Sequence, residues 1–348
     1  MSLIYFILML GLIVLVHEFG HFIFAKIFNV YVHEFSIGMG PLIKSWKKGE
    51  TQYSLRWIPI GGYCALAGEE EGSEQDKKIK KDRLLNHKPI WQRFLIMVFG
   101  AMNNFILGII VLFFIGCVFG AQNLDARISE VKEGSPAEAV GLSAGDIITK
   151  LNDDKITNTD DLSIYLQLAD LSKPVNFTVK KEDGKVETYE INAELETLED
   201  GSEVYKIGIN IDNSSSRKIG KILSFTFRKW WSLFNQVFIS LKALFKGRVT
   251  IKDFAGPVGI YRVVDNASKS KTAIYSMLML LALLTVNVGF VNLLPLPAMD
   301  GGRIFLLFVE LIKGKPINPK AENIINTVGF FLLIGLMILI TIKDLFIK

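Results

Sequence analysis

Four stretches of this chain, roughly 3–27, 94–119, 274–297 and 324–342, are apolar over lengths that match the hydrocarbon core of a bilayer. Crossing that core takes about 20 residues at a rise of about 1.5 Å each, and no water is available there to satisfy a backbone N–H or C=O. Such stretches fold as membrane-spanning helices. Composition agrees, since 50% of the 348 residues are hydrophobic, 25 are Phe and mean hydropathy is +0.34, above an ordinary water-soluble globule. The formal charge of +4 gives no electrostatic case for a nucleic acid or polyanionic partner. Cys64 and Cys117 lie in apolar or Gly-rich surroundings, so neither a disulfide framework nor a cysteine-based metal knuckle is available.

The first stretch is too long for a signal peptide, lacks a positively charged start and shows no small-residue cleavage pattern, so it reads as a retained span. The loop that follows it carries Lys26, Lys44, Lys47, Lys48, Arg56, Lys77, Lys78, Lys80, Lys81, Arg83, Lys88 and Arg93, whereas nothing charged precedes the span. The positive-inside bias therefore predicts a cytoplasmic loop and an external amino terminus. Four crossings then place the segment 121–273 and the carboxyl terminus outside as well.

Within the first span the chain reads VHEFGH. His17 and His21 are four apart and share one helix face, with Glu18 beside them. Two neutral imidazoles at that spacing make half of a zinc site, and a carboxylate next to a water acidified by the metal can take its proton. Three ionisable groups within five residues of a span are costly in lipid and mark function. A third protein ligand is needed, leaving one position open. His33 follows the first span closely and His87 sits in the charged linker, but Asp300, in NLLPLPAMDGGR at the end of the third span, suits the topology better. The first and third spans run in the same direction, which puts His17, His21 and Asp300 in the cytoplasmic half of the membrane. Pro295 and Pro297 break the helix there, and unwound backbone at membrane depth lines a cavity or is shielded by protein.

Between the first two spans, 34–68 contains short β-type runs, notably 53–60, separated by Gly pairs, and is predicted to dip back into the membrane, where an edge at about 53–60 would hold an extended peptide. The charged tract EEEGSEQDKKIKKDR after it reads as a flexible linker. Outside, 123–212 alternates short strands with turn signals and includes GSPAEAVGLSAGDIITKLND, a run similar to that of PDZ domains, which bind extended peptides at a sheet edge. The aromatic and aliphatic residues of 222–245, with Arg228, Lys229 and Lys242 at helical intervals, predict a helix lying in the membrane interface.

HEFGH in the first span, NLLPLPAMDGG (292–302) in a later one and a PDZ-like unit between them resemble the site-2 protease family of intramembrane zinc metalloproteases, in its bacterial regulated-proteolysis branch. FAGPVGI (254–260) and Asn104–Phe105 extend the resemblance, while Ala101 stands where relatives often have Pro and only one PDZ unit fits where some relatives have two. The resemblance implies Zn2+ held by His17, His21 and Asp300, with Glu18 as catalytic base. It implies a substrate-binding or oxyanion role for Asn292, and Pro295 and Pro297 would lie along bound substrate. The implied substrates are single-span membrane proteins, such as anti-sigma factors or signal-peptide remnants, trimmed first by an upstream site-1 protease. The expected fold is a polytopic α-helical membrane protein of about four spans with a membrane-associated β-hairpin and an inserted extracytoplasmic PDZ domain. Its expected parts are 1–120, a PDZ domain at 121–215, a membrane-surface segment at 216–273, and 274–348. Two rival readings are a metal transporter, in which Glu18 has no proton to take, and a membrane-tethered PDZ scaffold.

Overall fold

A computed structural model describes residues 1–69, 74–197, 203–250 and 255–346. The chain forms two compact units, one of Met1–Val111 with Ile251–Lys348 and one of Leu112–Thr250. The segment read from sequence as a single surface stretch, 216–273, is thus divided between them.

In chain order the first unit opens with α1 (Ser2–Ile27), β1 (Val32–Lys48), β2 (Thr51–Leu66) and α2 (Ile90–Phe119), whose last eight residues, from Leu112, belong to the other unit. The second unit holds β3 (Ala121–Gln122), β4 (Ile128–Val131), α3 (Pro136–Ala139), β5 (Ile147–Leu151), β6 (Asp154–Lys155), α4 (Thr159–Leu168), β7 (Val175–Lys180) and β8 (Val186–Ile191). It ends with β9 (Glu194–Thr197), β10 (Glu203–Lys206), β11 (Ile209–Ile211), β12 (Ser215–Ser216) and α5 (Ile219–Phe245). The first unit resumes with α6 (Pro257–Lys269), α7 (Ala273–Leu293), α8 (Asp300–Lys313) and α9 (Pro319–Phe346). Four helices, α1, α2, α7 and α9, are long and apolar enough to cross a membrane.

The third expected span stops at Leu293, four residues short of its predicted end, and Asp300 lies not on it but at the start of α8, a helix the sequence reading did not anticipate. The cause is Pro295, which bars its predecessor from helical backbone, so that Leu294 is extended at φ −64, ψ 142. After six unwound residues α8 folds back on the end of α7. That return needs glycine: a Cβ on Gly301 would lie 2.2 Å from Leu294 O, and one on Gly302 2.2 Å from Leu296 O.

The segment 32–66 is a hairpin of two long strands, and its register folds it into more than a hairpin. Phe35 is paired with Tyr53 on one side and Cys64 on the other, while Tyr53 also faces Trp46. The strands therefore run in the order 44–48, 51–55, 34–37, 62–66. This corrects the expectation of an edge for 53–55, which is paired on both sides; among the described residues the outer strands are 44–48 and 62–66, of which 62–66 lies nearer α1 and Glu18. The bend of the hairpin packs beside α1, where a Cβ on Gly11 would lie 2.7 Å from Pro59 O. Gly11 is about 9 Å along α1 from His17. Ile37, Met39, Leu42, Ile43, Trp57 and Ile58 around this bend are exposed.

The charged tract is not a free linker where it is described. It forms three single turns (Asp76–Lys78, Lys81–Arg83 and Leu85–His87), and residues 70–73 lie outside the described part. His33 Nε2 and Asp76 Oδ1 are 2.7 Å apart, Gly68 N donates to Asp76 Oδ2 at 2.9 Å, and Glu50 accepts from both Lys26 and Arg83 at 2.7 Å.

In the second unit β6-β5-β7-β8 form an antiparallel sheet over a core of Ile128, Ile148, Leu151, Phe177, Val179 and Ile191. Asn158 caps α4 by accepting from Asp161 N at 2.9 Å. The cations of α5 are engaged by carboxylates of the same unit. Lys229 holds Asp160 at 2.6 and 2.8 Å, Arg228 holds Asp125 at 2.7 Å, and Lys242 lies 3.6 Å from Asp154. Phe227, Trp231 and Phe238 remain exposed on the helix.

The hydrogen bonds from Arg83, then Lys26, hold the Glu50 carboxyl down to about 2 from its ordinary 4.5. A carboxylate depressed in the fold stabilises above its ordinary value and loses that contribution as pH falls toward the folded value. Hydrogen-exchange protection of Tyr31 N–H, which donates to Arg83 O, should therefore be lower in Glu50→Gln than in the native chain at pH 7. The two should converge as pH falls from about 4.5 to about 2.

Candidate metal centre

One turn of α1 carries His17 and His21, both 8% exposed, on the face turned toward α2 and α8. His21 Nδ1 lies 2.8 Å from Ile96 O, and a carbonyl can only accept, so Nδ1 carries the proton. Its Nε2 is then left with a free lone pair. That nitrogen lies 3.3 Å from His17 Nε2, and Asp300 Oδ2 lies 3.1 Å from His17 Nε2 and 3.3 Å from His21 Nε2.

Three electron-rich atoms at such spacing fit a cation. Bonds of 2.0–2.1 Å in a tetrahedral zinc site imply ligand-to-ligand edges of about 3.3–3.4 Å, close to the three distances here. The buried Asp300 Oδ2 makes no hydrogen bond among the described residues, which is the signature of a donor atom aimed at a metal. These three residues are the group able to offer one ligand atom each within 4.8 Å of one another.

Small residues allow this approach. A Cβ on Gly20 would sit 2.1 Å from Phe99 O, and one on Gly100 would sit 2.4 Å from His21 Nε2 and 3.0 Å from His17 Cε1. Asn103 Nδ2 donates to Val16 O at 3.3 Å, the carbonyl preceding His17. None of these was singled out from sequence, although Gly20 lies inside HEFGH and Gly100 opens GAMNNF. Ala101, the noted departure, is buried and its carbonyl lies 3.1 Å from where a Cβ on Gly289 would be, so α2 and α7 also meet closely.

The three residues open onto a cavity of about 910 Å³ that Glu18 and Asn292 also line. Glu18 is half-buried there, its Cγ 3.9 Å from a Cβ placed on Gly62 at the start of the open edge strand. Residues 63–66 of that strand form part of the same wall, as does Arg303, paired with Glu69. Asn292 donates one amide hydrogen to Val288 O at 3.0 Å, which leaves a second for a ligand. Pro295 and Pro297 are not themselves in the cavity wall, which Asn292 before them and Ala298 and Met299 after them line. Pro297 instead presses on α9, where a Cβ on Gly329 would be 2.2 Å from it. Their part is to stop α7 so that the chain can turn back into Asp300. His33 is paired with Asp76, and His87 lines a different cavity.

Gly100→Ala should push His21 off the shared point. Metal content of the purified variant, measured by elemental analysis, is expected to fall by at least about tenfold with helical content unchanged.

A model of peptidase family M50 matches residues 5–336. A protein of Clostridium perfringens is 37% identical over 346 residues, covering 99% of this chain and 98% of that one. Proteins of Clostridium acetobutylicum and Fusobacterium nucleatum are 32% identical over 340 residues and 34% over 351, covering 97% and 99% of this chain and 95% and 98% of theirs. All three are named as candidate zinc metalloproteases. A solved PDZ domain from Listeria innocua aligns with 27% of the chain at 22% identity and a TM-score of 0.22, too low to bear on the fold. With a family match over nearly its whole length and relatives that it covers almost end to end, the chain belongs to peptidase family M50 and is a zinc metalloendopeptidase with four helices able to cross a membrane.

Proposed function

We propose that the chain hydrolyses a peptide bond inside the transmembrane segment of single-span membrane proteins that another protease has already trimmed. The observation that carries this reading is the convergence of His17, His21 and Asp300, with Glu18 beside them, at the cavity end of a helix built for lipid. His17, His21 and Asp300 would hold zinc. When bound, zinc would supply Lewis acidity, making a water acidic near neutral pH and polarising the scissile carbonyl.

The side chains supply the rest. Glu18 accepts the proton of the attacking water and returns it to the leaving amine. Asn292 turns its free amide hydrogen toward the negative charge that develops on the carbonyl oxygen. A helical peptide bond is shielded by its neighbours, so the substrate segment has to unwind. The open edge at 62–66 supports that step, because an extended chain added there finds the backbone partners it loses on unwinding and lies along the wall that Glu18 shares.

The charge bias of the loops supports an external amino terminus, with the carboxyl terminus on the same side and the active site in the cytoplasmic half of the cell membrane. On this reading 121–215 is an external PDZ domain that turns away substrates whose outer domain is intact. The substrates are of the anti-sigma-factor or signal-remnant kind, and a site-1 protease acts before this one.

Purified protein reconstituted with a panel of single-span substrates tests the reading, with cuts located by mass spectrometry. Glu18→Gln should keep its zinc and lose on the order of 10²–10⁴-fold in rate. His17→Ala and Asp300→Ala should lose the metal itself, and a chelator should silence the native protein. Cleavage outside the apolar segment, or undiminished cleavage by Glu18→Gln, would sink the proposal.

A further inference from the structure

α8 begins with Asp300, but six unwound residues separate it from α7, so no continuous helix sets its rotation about its own axis. The outward side chains Phe305, Phe308, Leu311 and Ile312 are exposed and apolar, and apolar contacts carry no direction. Gly301 and Gly302 let the first turn sit close to α7 and offer no side chain that could fix its roll. A slip of one residue turns a helix by about 100°, enough to take Asp300 away from both imidazoles.

Beside the Arg303–Glu69 pair near the start of α8, a second directional contact opposes that roll further along the helix. Glu310, 8% exposed and about 15 Å along α8 from Asp300, accepts from Arg93 Nη1 with both carboxylate oxygens, at 2.9 and 3.1 Å. Arg93 is in the first turn of α2. One turn further along, Ile96 offers the carbonyl that takes the His21 Nδ1 proton at 2.8 Å. The same stretch of α2 therefore holds a ligand-bearing side chain of α1 and the helix that bears Asp300. Desolvation cancels much of the attraction within a buried ion pair, so such a pair adds little net stability and is best used to fix register.

We propose that Arg93 and Glu310 are positioning residues that set the roll of α8 and so bring Asp300 to the point shared with His17 and His21. The inference rests on the reading of those three as zinc ligands. Its test measures zinc affinity of the full-length protein by competition with a chromogenic chelator, alongside circular dichroism. The variants are Glu310→Gln, Arg93→Gln, the reversed pair Arg93→Glu with Glu310→Arg, and Asp300→Ala.

Each single neutral variant should bind zinc at least about tenfold more weakly at unchanged helical content. The reversed pair should return to within about threefold of native. Single variants that bind zinc as the native protein does overturn the inference, as does a reversed pair no better than the singles or unable to fold. If the singles do not fold, the reversed pair alone decides by the same limits. Asp300→Ala that binds zinc normally overturns the ligand reading itself, an outcome distinct from failure of Glu310→Gln while Asp300→Ala loses the metal.

Discussion

Two imidazole nitrogens and a carboxylate oxygen brought to 3.1–3.3 Å of one another are a constraint that much of the first unit is built to meet. Lone pairs at that distance repel. A divalent cation turns the repulsion into attraction, and the backbone around it serves the approach. Gly20 and Gly100 bring α1 and α2 together, Pro295 ends α7, and Gly301 and Gly302 let α8 fold back. The metal centre is in this sense a packing problem solved with residues that have little or no side chain.

The hairpin adds a second constraint. A sheet beside α1 has to satisfy its backbone groups internally, and the doubling of its strands does so for 34–37 and 51–55. Only an outer strand keeps groups to spare. The strand on the cavity side, 62–66, is beside Glu18, so a structural leftover of sheet geometry falls where the proposed mechanism needs an extended peptide held.

The parts of this arrangement that were legible in the sequence are those set by local chemistry. Long apolar runs gave the four helices able to cross a membrane to within about five residues, and the spacing of His17 and His21 put two imidazoles together because i and i+4 share a face. Asp300 could be picked out by topology, yet its helix could not, because a proline-broken segment does not say where the chain restarts. The edge strand was misplaced, since alternation marks a strand without saying which sides are paired. Gly100, Arg93 and Glu310 were invisible for the same reason: their meaning lies in contacts far along the chain, and the Arg93–Glu310 pair joins residues 217 apart. The carboxylates that hold the cations of α5, Asp125 and Asp160, were invisible in the same way, lying far back along the chain.

The first unit is assembled from both ends of the polypeptide, with the second inserted between them. His21 and Asp300 are separated by about 280 residues, so the loop that unites them closes only after nearly all the chain has been made, and its closure entropy is paid late. A ribosome-bound fragment that has already inserted α1 and α2 carries a base and two imidazoles without the third ligand. On the proposed ligand set the site is therefore incomplete throughout most of the chain's synthesis and closes only when the last quarter, which carries Asp300, has been made.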